Sequence, residues 1–392
     1  MIYKILFING VRTQVERRIM RGVLNYAREQ GEWSLSTFPP VPQNLTELLR
    51  MNYAGCLGLL GQRDIAEIVK KSGVPAINIS GGTFDFGMPR VGVSDHEIGI
   101  MAADYFLRQG FVGYAFYGLP GEDFSDSRLN GYQSRLAEQG HEVTVYHPRG
   151  KYPDRPRLRN LSREMAAYAP VRWLAGLPAQ TAILACDDLR ANFLSNCAAH
   201  LELRMPEDLG LLGVGNDDVY CETASVPLSS ISTPAEEVGY EAAQCLHAIL
   251  RKQPVPRLSF PRFRSPTGVV ERQSTDLLKI THPNLARALA FMREHGRSKT
   301  SAHEIARAAG MSLRSLERVF QSHFHRTIQQ ELIRLRLEWA KAELRNSDKG
   351  LDVIGSECGL NSGVYLSQLF RKVEKTSPGQ YRQQFRKGSR PR

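Results

Sequence analysis

Acidic side chains recur where apolar runs end and helical segments begin. Asp187 follows the run TAILAC and Asp217 follows LLGVG, and each is followed by a second aspartate, Asp188 or Asp218. In a doubly wound sheet, ligands bind outside the carboxyl ends of the strands, so these side chains are expected at one site. A carboxylate engages two neighbouring hydroxyl groups through charge-assisted hydrogen bonds, which favours a polyhydroxylated ligand such as a sugar.

Two arginines and a further aspartate extend this candidate ligand site. Arg17 begins the first helix, Asp95 follows VGVS, and Arg128 lies on the helix after YAFYG. Helix capping is the alternative for the acids, because Asp95, Asp188 and Asp218 stand where an N-cap or a first-turn acid belongs. We expect Asp188 and Asp218 to be caps. The candidate ligand-binding residues are therefore Arg17, Asp95, Arg128, Asp187 and Asp217. Phe84, Phe86 and Phe124 lie in loops and offer apolar platforms for a sugar ring, with ordinary packing as the alternative.

The elements that position these residues alternate regularly. From residue 3 to about 271, short apolar runs alternate with amphipathic helical segments. Continuous apolar strands between helices are typical of a parallel sheet covered on both faces. Two successive sets of this pattern predict two doubly wound α/β lobes, with a chain that crosses between them several times and leaves a cleft.

The segment 300–381 has a different pattern, which predicts an all-α domain with two helix-turn-helix units. Gly310 supplies the turn of the first unit, Ser312 caps its second helix, and Gly359 supplies the turn of the second unit. Between the units, residues 328–345 form a helix without breakers. Its length of roughly 27 Å is close to the ~34 Å of one DNA turn, so the two recognition helices would enter successive major grooves.

The exposed faces of these helices supply the candidate DNA contacts. Arginine bonds bidentately to guanine and glutamine pairs with adenine. The candidate contacts are Arg314, Ser315, Glu317 and Arg318 in the first unit, and Asn361, Gly363, Ser367 and Gln368 in the second. Arg371 and Lys372 are expected to bind phosphate, and Val364 and Tyr365 are expected in the core. A charged face in contact with solvent is the alternative.

The charge distribution favours DNA contacts over a charged face that only meets solvent. The chain has 51 Lys and Arg against 40 Asp and Glu, and residues 283–392 hold 21 and 10 of these. The remainder therefore holds 30 of each sign, and the whole excess of +11 lies in the C-terminal part, where phosphates would be met.

Other functional classes are disfavoured. The N-terminus lacks the pattern of a signal peptide, and no run approaches the length of a membrane span. The six cysteines are scattered without a CxxC pair, which is typical of buried, reduced thiols in a cytoplasmic protein. HExxH, GxSxG, a Walker loop and an early GxGxxG motif are all missing, so we expect neither an enzyme nor a metal or cofactor.

The quoted motifs resemble two known families. LEWAKAEL (337–344) and TSPGQYRQQF (376–385) resemble the connecting helix and closing signature of the AraC/XylS regulators, over about a quarter of the chain. TAILACDDLRANFL with LGLLGVGNDDVY resembles the effector-binding core of the LacI/GalR regulators, whose fold is that of periplasmic sugar-binding proteins. In that core, Arg17, Arg128, Asp187 and Asp217 match positions that touch effectors.

The fusion of these two types implies a cytoplasmic, sugar-responsive transcription regulator. The expected effector is xylose or a related pentose, with a hexose or a purine as the alternative. A sugar-transport binding protein is a further alternative, which the DNA-binding part disfavours. The expected partners are operator DNA, the sugar, RNA polymerase and a second copy in a homodimer, without a membrane. The expected domains are 1–272 for the effector, 273–283 for the linker and 284–388 for DNA.

Overall fold

The computed structural model describes residues 2–10, 13–39, 41–80, 87–148, 168–252, 262–277, 282–298, 300–324, 326–374 and 376–386. The chain divides into two compact units. One unit comprises Met1–Leu107 and Phe111–Thr275, and the other comprises Arg108–Gly110 and Asp276–Arg392. Within the described ranges, no helix is both long and apolar enough to cross a membrane.

The first unit contains all the strands that the structure describes. They are β1 (Tyr3–Ile8), β2 (Trp33–Phe38), β3 (Gly55–Gly58), β4 (Ala76–Asn78), β5 (Val91–Val93), β6 (Gly113–Tyr117), β7 (Thr144–Tyr146), β8 (Thr181–Ala185), β9 (Leu209–Val214), β10 (Ser229–Ser232), β11 (Arg262–Arg264) and β12 (Gly268–Val270). The helices of this unit are α1 (Gln14–Gln30), α2 (Pro42–Leu49), α3 (Arg63–Ser72), α4 (Asp95–Gln109), α5 (Asp123–Ala137), α6 (Ala169–Ala175), α7 (Asp188–His200), α8 (Asp218–Glu222) and α9 (Ala235–Leu250).

The N-terminal lobe is a parallel sheet in the order β2-β1-β3-β4, with β5 and β11 paired beside it. Successive residues of β1 point to opposite faces, and both faces are covered. Ile5 and Phe7 pack against α1 and α9. Leu6 and Ile8 pack against α2 and α3. This two-sided burial explains why β1 is a continuous apolar run.

The C-terminal lobe is a six-stranded sheet in the order β12-β10-β9-β8-β6-β7. Among the described strands of this sheet, only β12 runs antiparallel, against β10. The chain passes between the lobes after β5, after β10 and between β11 and β12. The predicted two-lobed α/β fold, with several crossings, is therefore confirmed.

The second unit is helical wherever the structure describes secondary structure in it. Its helices are α10 (Pro283–His295), α11 (Ala302–Ala308), α12 (Leu313–Phe324), α13 (Ile328–Asn346), α14 (Leu351–Glu357), α15 (Gly363–Glu374) and α16 (Pro378–Arg386). The unit has two apolar cores, and α13 contributes to both: Leu332 is buried in the first, and Leu337 and Leu344 are buried in the second. Each helix-turn-helix unit thus has its own apolar core. The two units are joined by one connecting helix, α13, as predicted.

Candidate functional sites

Arg128 and Asp95 form an ion pair with little solvent exposure. Asp95 Oδ1 accepts from Arg128 Nε at 2.8 Å and lies 2.7 Å from Nη2, and Nη1 donates to the carbonyl oxygen of Cys186 at the end of β8. The ring of Phe124 lies 4.9 Å from the guanidinium carbon. Burial raises the pKa of Asp95, and Arg128 opposes that rise. These contacts hold Arg128 at the carboxyl end of the sheet, and within the described ranges two of its five N–H groups have no hydrogen-bond partner.

Asp187 is the N-cap of α7, whereas the sequence predicts this role for Asp188. Its Oδ1 accepts from the backbone N–H of Arg190 at 2.9 Å, and its Oδ2 pairs with the guanidinium of the same residue. Arg190 is a buried arginine that the sequence analysis missed. Its position three residues after Asp187, on the same helix face, is the signal that would have found it.

Asp188 is a buried structural acid, so the expectation of a cap is wrong. Its Oδ1 accepts from Ser230 Oγ at 2.5 Å and its Oδ2 from the backbone N–H of Asp217 at 2.8 Å. A Cβ atom on Gly213 would lie 2.1 Å from Asp188 Oδ1, which explains the glycine in β9. Burial raises the pKa of Asp188 to about 7, and the two hydrogen bonds oppose that rise.

Asp217 joins the two lobes. Its Oδ1 caps α8 by accepting from the N–H of Val219 at 3.1 Å. Its Oδ2 accepts from the N–H of Gln14, the first residue of α1, at 2.5 Å, and lies 3.5 Å from Arg17 Nη2. One carboxylate therefore satisfies helix N-termini of both lobes. It also brings two of the predicted ligand residues, Arg17 and Asp217, into contact.

The side chain of Gln14 strengthens this junction. Gln14 Nε2 donates to Asp218 Oδ2 at 3.0 Å, and Gln14 Oε1 accepts from the N–H of Asp218 at 2.7 Å. We call Gln14, Asp217 and Asp218 the interlobe latch. Asp218 is therefore an acid of the first turn of α8 and part of the latch, whereas the cap itself is Asp217. A second bridge links Gln62 Nε2 to Glu122 Oε1 at 3.2 Å.

Three of the five predicted ligand residues, Arg128, Asp187 and Asp217, meet at residues 186–188, the junction of β8 and α7. The carbonyl of Cys186 accepts from Arg128, Asp187 pairs with Arg190, and Asp188 accepts from the N–H of Asp217. We call these three consecutive residues the β8–α7 junction. Of the aromatic candidates, Phe124 lies at this site, against Arg128. Phe84 and Phe86 lie outside the described residues.

The first recognition helix, α12, exposes the predicted side chains. Gly310 adopts a φ of +67° at the turn, and Ser312 Oγ accepts from the N–H of Ser315 at 3.2 Å as the predicted cap. Ser315 is half-buried. The exposed candidates are Arg314, Glu317 and Arg318.

The second recognition helix, α15, has a different exposed face from the predicted one. Gly363 is buried: its N–H donates to Asp352 Oδ1 at 2.9 Å, and a Cβ atom would lie 2.7 Å from that oxygen. The prediction that Gly363 faces outward is therefore wrong. Val364 is 67% exposed and Tyr365 is 37% exposed, so their assignment to the core is also wrong.

The other candidates of α15 divide by exposure. Ser367 is half-buried, and its hydroxyl donates to the carbonyl of Gly363 at 2.8 Å. The remaining candidates are all exposed: Asn361, Gln368, Arg371 and Lys372. The three exposed candidates on α15 itself, Gln368, Arg371 and Lys372, lie on its second and third turns, beyond the exposed Val364 and Tyr365.

The six cysteines are buried and unbridged, as predicted. Burial raises the pKa of Cys56 and Cys197 to about 12, which suppresses the reactive thiolate. In the part of the chain that the structure describes, no cluster of His, Cys, Asp and Glu is arranged to hold a metal ion.

Comparison with known proteins identifies both parts of the chain. Residues 103–275 match the periplasmic binding protein-like domain family, and residues 305–384 match a helix-turn-helix domain family. The xylose operon regulatory protein of Escherichia coli K12 is 25% identical over 391 residues, which cover 97% of each chain.

Two solved structures extend this likeness. The structure of the xylose-binding transcription activator xylR aligns with a TM-score of 0.62 at 25% identity, over 97% of this chain and 98% of that one. A LacI family regulator from Enterococcus faecalis with bound ribose covers 71% of this chain and 100% of its own, with a TM-score of 0.56 at 21% identity, and so supports the fold. The chain is therefore a homologue of the xylose operon regulatory proteins, a transcription regulator in which a periplasmic-binding-protein-like domain is fused to an AraC-type helix-turn-helix domain.

Proposed function

We propose that this regulator binds a small sugar, xylose or a related pentose, between its lobes and binds operator DNA through both helix-turn-helix units. The observation that carries the proposal is the convergence of Arg128, Asp187 and Asp217 on the β8–α7 junction, in a chain that also exposes two recognition helices. The proposed domains are 1–272 for the effector, 273–283 for the linker and 284–388 for DNA.

The chemistry of the junction suits a neutral polyol. Each sugar hydroxyl is both donor and acceptor, so it accepts from the spare N–H groups of Arg128 and donates to a carboxylate oxygen. Asp217 Oδ2 faces Arg17 and the N–H of Gln14, and it offers such an acceptor at the boundary between the lobes. Arg17 supplies N–H donors from the N-terminal lobe, and its side chain is 47% exposed. A sugar between Arg128 and Arg17 would therefore touch both lobes.

The effector would act on the latch. A sugar that donates to Asp217 competes with the contacts of Gln14 and Arg17, or it adds to them by lying beside them. In either case the free energy of sugar binding is coupled to the relative position of the lobes, because Asp217 contacts both the sugar and the N-terminal lobe. Sugar shifts the equilibrium only if it binds one lobe arrangement more tightly than another. We propose that it favours the closed arrangement, which then repositions the DNA-binding units of a homodimer in the cytoplasm.

The DNA-binding part would bind the operator and so convert sugar binding into a change in transcription. We propose that the exposed Arg314 and Arg318 read guanine and that the exposed Arg371 and Lys372 bind phosphate. RNA polymerase is the proposed downstream partner. This chain is proposed to have no enzymatic activity of its own, in keeping with its relatives, which are transcription regulators.

A thermal-shift panel tests the effector. Full-length protein is heated with pentoses, hexoses and purines in turn. A ligand at 100 times its dissociation constant adds about 2.7 kcal/mol, which raises the Tm of a domain of this size by roughly 5–10 °C. A shift with xylose or a close pentose alone supports the proposal. A shift with a hexose or a purine identifies the alternative effector, and no shift with any compound removes the basis for a sugar site.

A further inference from the structure

The two recognition helices can be superposed residue by residue through their sequences. The segment 312–320 reads SLRSLERVF and the segment 362–370 reads SGVYLSQLF. In each, the first serine accepts from the N–H three residues later, at 3.2 Å for Ser315 and 3.1 Å for Tyr365. The residues buried completely occupy the same positions in both helices. They are Leu316 and Phe320 in the first, and Leu366 and Phe370 in the second.

In this alignment of the two recognition helices, equivalent exposed positions carry side chains of different chemistry. Arg314 corresponds to Val364, Ser315 to Tyr365, and Arg318 to Gln368. The first helix therefore presents two cations where the second presents a valine and an amide. We call Val364, Tyr365 and Gln368 the second reading face.

The second reading face is one continuous surface of α15. At about 100° per residue, Val364, Gln368 and Arg371 lie within about 60° of one another, with Tyr365 and Lys372 beside them. Leu366 and Phe370 point the other way, into the core. Val364 therefore does not contribute to the core of its unit and is 67% exposed. Arg371 and Lys372 are exposed on the same side of α15, in its third turn.

The occupant that fits this face is a run of A·T base pairs in a major groove. The C5-methyl of thymine is an apolar group on the major-groove edge, and apolar side chains contact it. Glutamine bonds bidentately to adenine, and the cations at the end of the face suit phosphates. A single exposed valine is ordinary on a protein surface. Here, however, it occupies the position that corresponds to Arg314, at the start of a recognition helix.

We propose that Val364, with Tyr365 beside it, determines specificity by contacting a thymine methyl, so that the operator pairs a guanine-containing half-site with a thymine-containing one. The proposal rests on the proposed binding of DNA through both units. It makes the two half-sites chemically unequal, which fixes the orientation of each protomer on the operator.

The test begins with full-length protein and a pool of random duplexes, from which bound sequences are selected. In the best selected duplex, each thymine of the A·T-rich half-site is replaced in turn by uracil, which removes only the methyl group. Affinities are measured by fluorescence anisotropy for the wild type and for Val364→Ala. One lost methyl contact should weaken wild-type binding about fourfold at one thymine. The same replacement should change the affinity of Val364→Ala by less than about 1.5-fold, because the two changes remove one contact.

Arg318→Ala is the matched control. It should weaken binding to the guanine-containing half-site and leave the fourfold uracil effect intact. Val364→Thr, which keeps one methyl group and the branched shape of the side chain, guards against a loss through misfolding and should retain at least part of the uracil effect. Equal uracil effects in the wild type and in Val364→Ala, or a second half-site without a preferred thymine, would overturn the proposal while DNA binding stands. A wild type that selects no sequence would overturn DNA binding as well.

Discussion

Replacing Arg128 by methionine should destabilise the effector unit and do so in a pH-dependent way. The change keeps the apolar stem but removes two N–H contacts to Asp95 and one to the carbonyl of Cys186. Removing one member of a buried ion pair costs about 3–5 kcal/mol, because the other charge stays buried. Arg128 is 13% exposed and Asp95 is 3% exposed, so we expect the lower end, about 3 kcal/mol.

The pH dependence follows from Asp95. Burial already raises the pKa of Asp95 in the wild type, and without Arg128 the pKa should rise further. A carboxyl whose folded pKa is raised loses stability as pH rises through that pKa. The penalty for Arg128→Met should therefore be larger at pH 7 than at pH 5. Adding Asp95→Asn removes the buried charge and should recover most of the loss.

Urea unfolding at both pH values measures these free energies. The fluorescence of Trp33 and Trp173 reports on the effector unit, and Trp339→Phe removes the signal from the other unit. In a thermal scan, 3 kcal/mol corresponds to a fall of roughly 6–12 °C. A loss below about 1 kcal/mol, or an equal loss at both pH values, would refute the argument that Arg128 neutralises a buried Asp95.

Three further predictions concern Asp188, the interlobe latch and Gly363. Asp188→Asn should remove part of the pH dependence of stability: the raised pKa of about 7 means that wild-type stability is lost as pH rises from about 4 to 7, at up to about 1.4 kcal/mol per pH unit, so urea titrations of the variant should show a shallower slope. Gln14→Ala removes two side-chain hydrogen bonds of the latch and should increase the radius of gyration measured by small-angle scattering of sugar-free protein, whereas an unchanged radius would mean that the latch does not hold the lobes. Gly363→Ala should destabilise the DNA-binding unit by about 1–3 kcal/mol, because the new Cβ would meet Asp352 and nearby backbone, and calorimetry should show a lower Tm for that unit with the effector unit unchanged.

The fold could be predicted from the sequence because its signals are local. Runs such as the one in β1 are buried on both faces, and the regular alternation with helices leaves few other architectures. The first helix-turn-helix unit could also be predicted from local signals, since Gly310 forms the predicted turn and Ser312 is the predicted N-cap.

The site could be predicted only in part, because its contacts join distant parts of the chain. Gln14 and Asp217 are 203 residues apart, and no local pattern marks Gln14 as the partner of an acid. The capping role also fell one residue earlier than expected. Asp187 and Asp217 immediately precede their helices with an extended backbone, which is the conformation of an N-cap, whereas Asp188 and Asp218 are already helical.

The exposed face of the second recognition helix is likewise not marked by any local sequence pattern. Gly363 is buried against Asp352, eleven residues earlier, and the two residues that follow it, Val364 and Tyr365, face outward. Hydrophobicity alone assigns both to the core. The comparison with the first unit gives the correct register, because Leu316 and Leu366 occupy equivalent buried positions.

The central claim is that a sugar bound at the β8–α7 junction changes operator binding. The most direct measurement is the dissociation constant of full-length protein for its selected operator, with and without saturating xylose. The wild type should show a sugar-dependent change of about 5- to 150-fold, typical of allosteric coupling. The variant Asp95→Asn/Arg128→Met should be folded, bind operator and show no change. An equal response in both proteins, or none in the wild type with any pentose, would contradict the account.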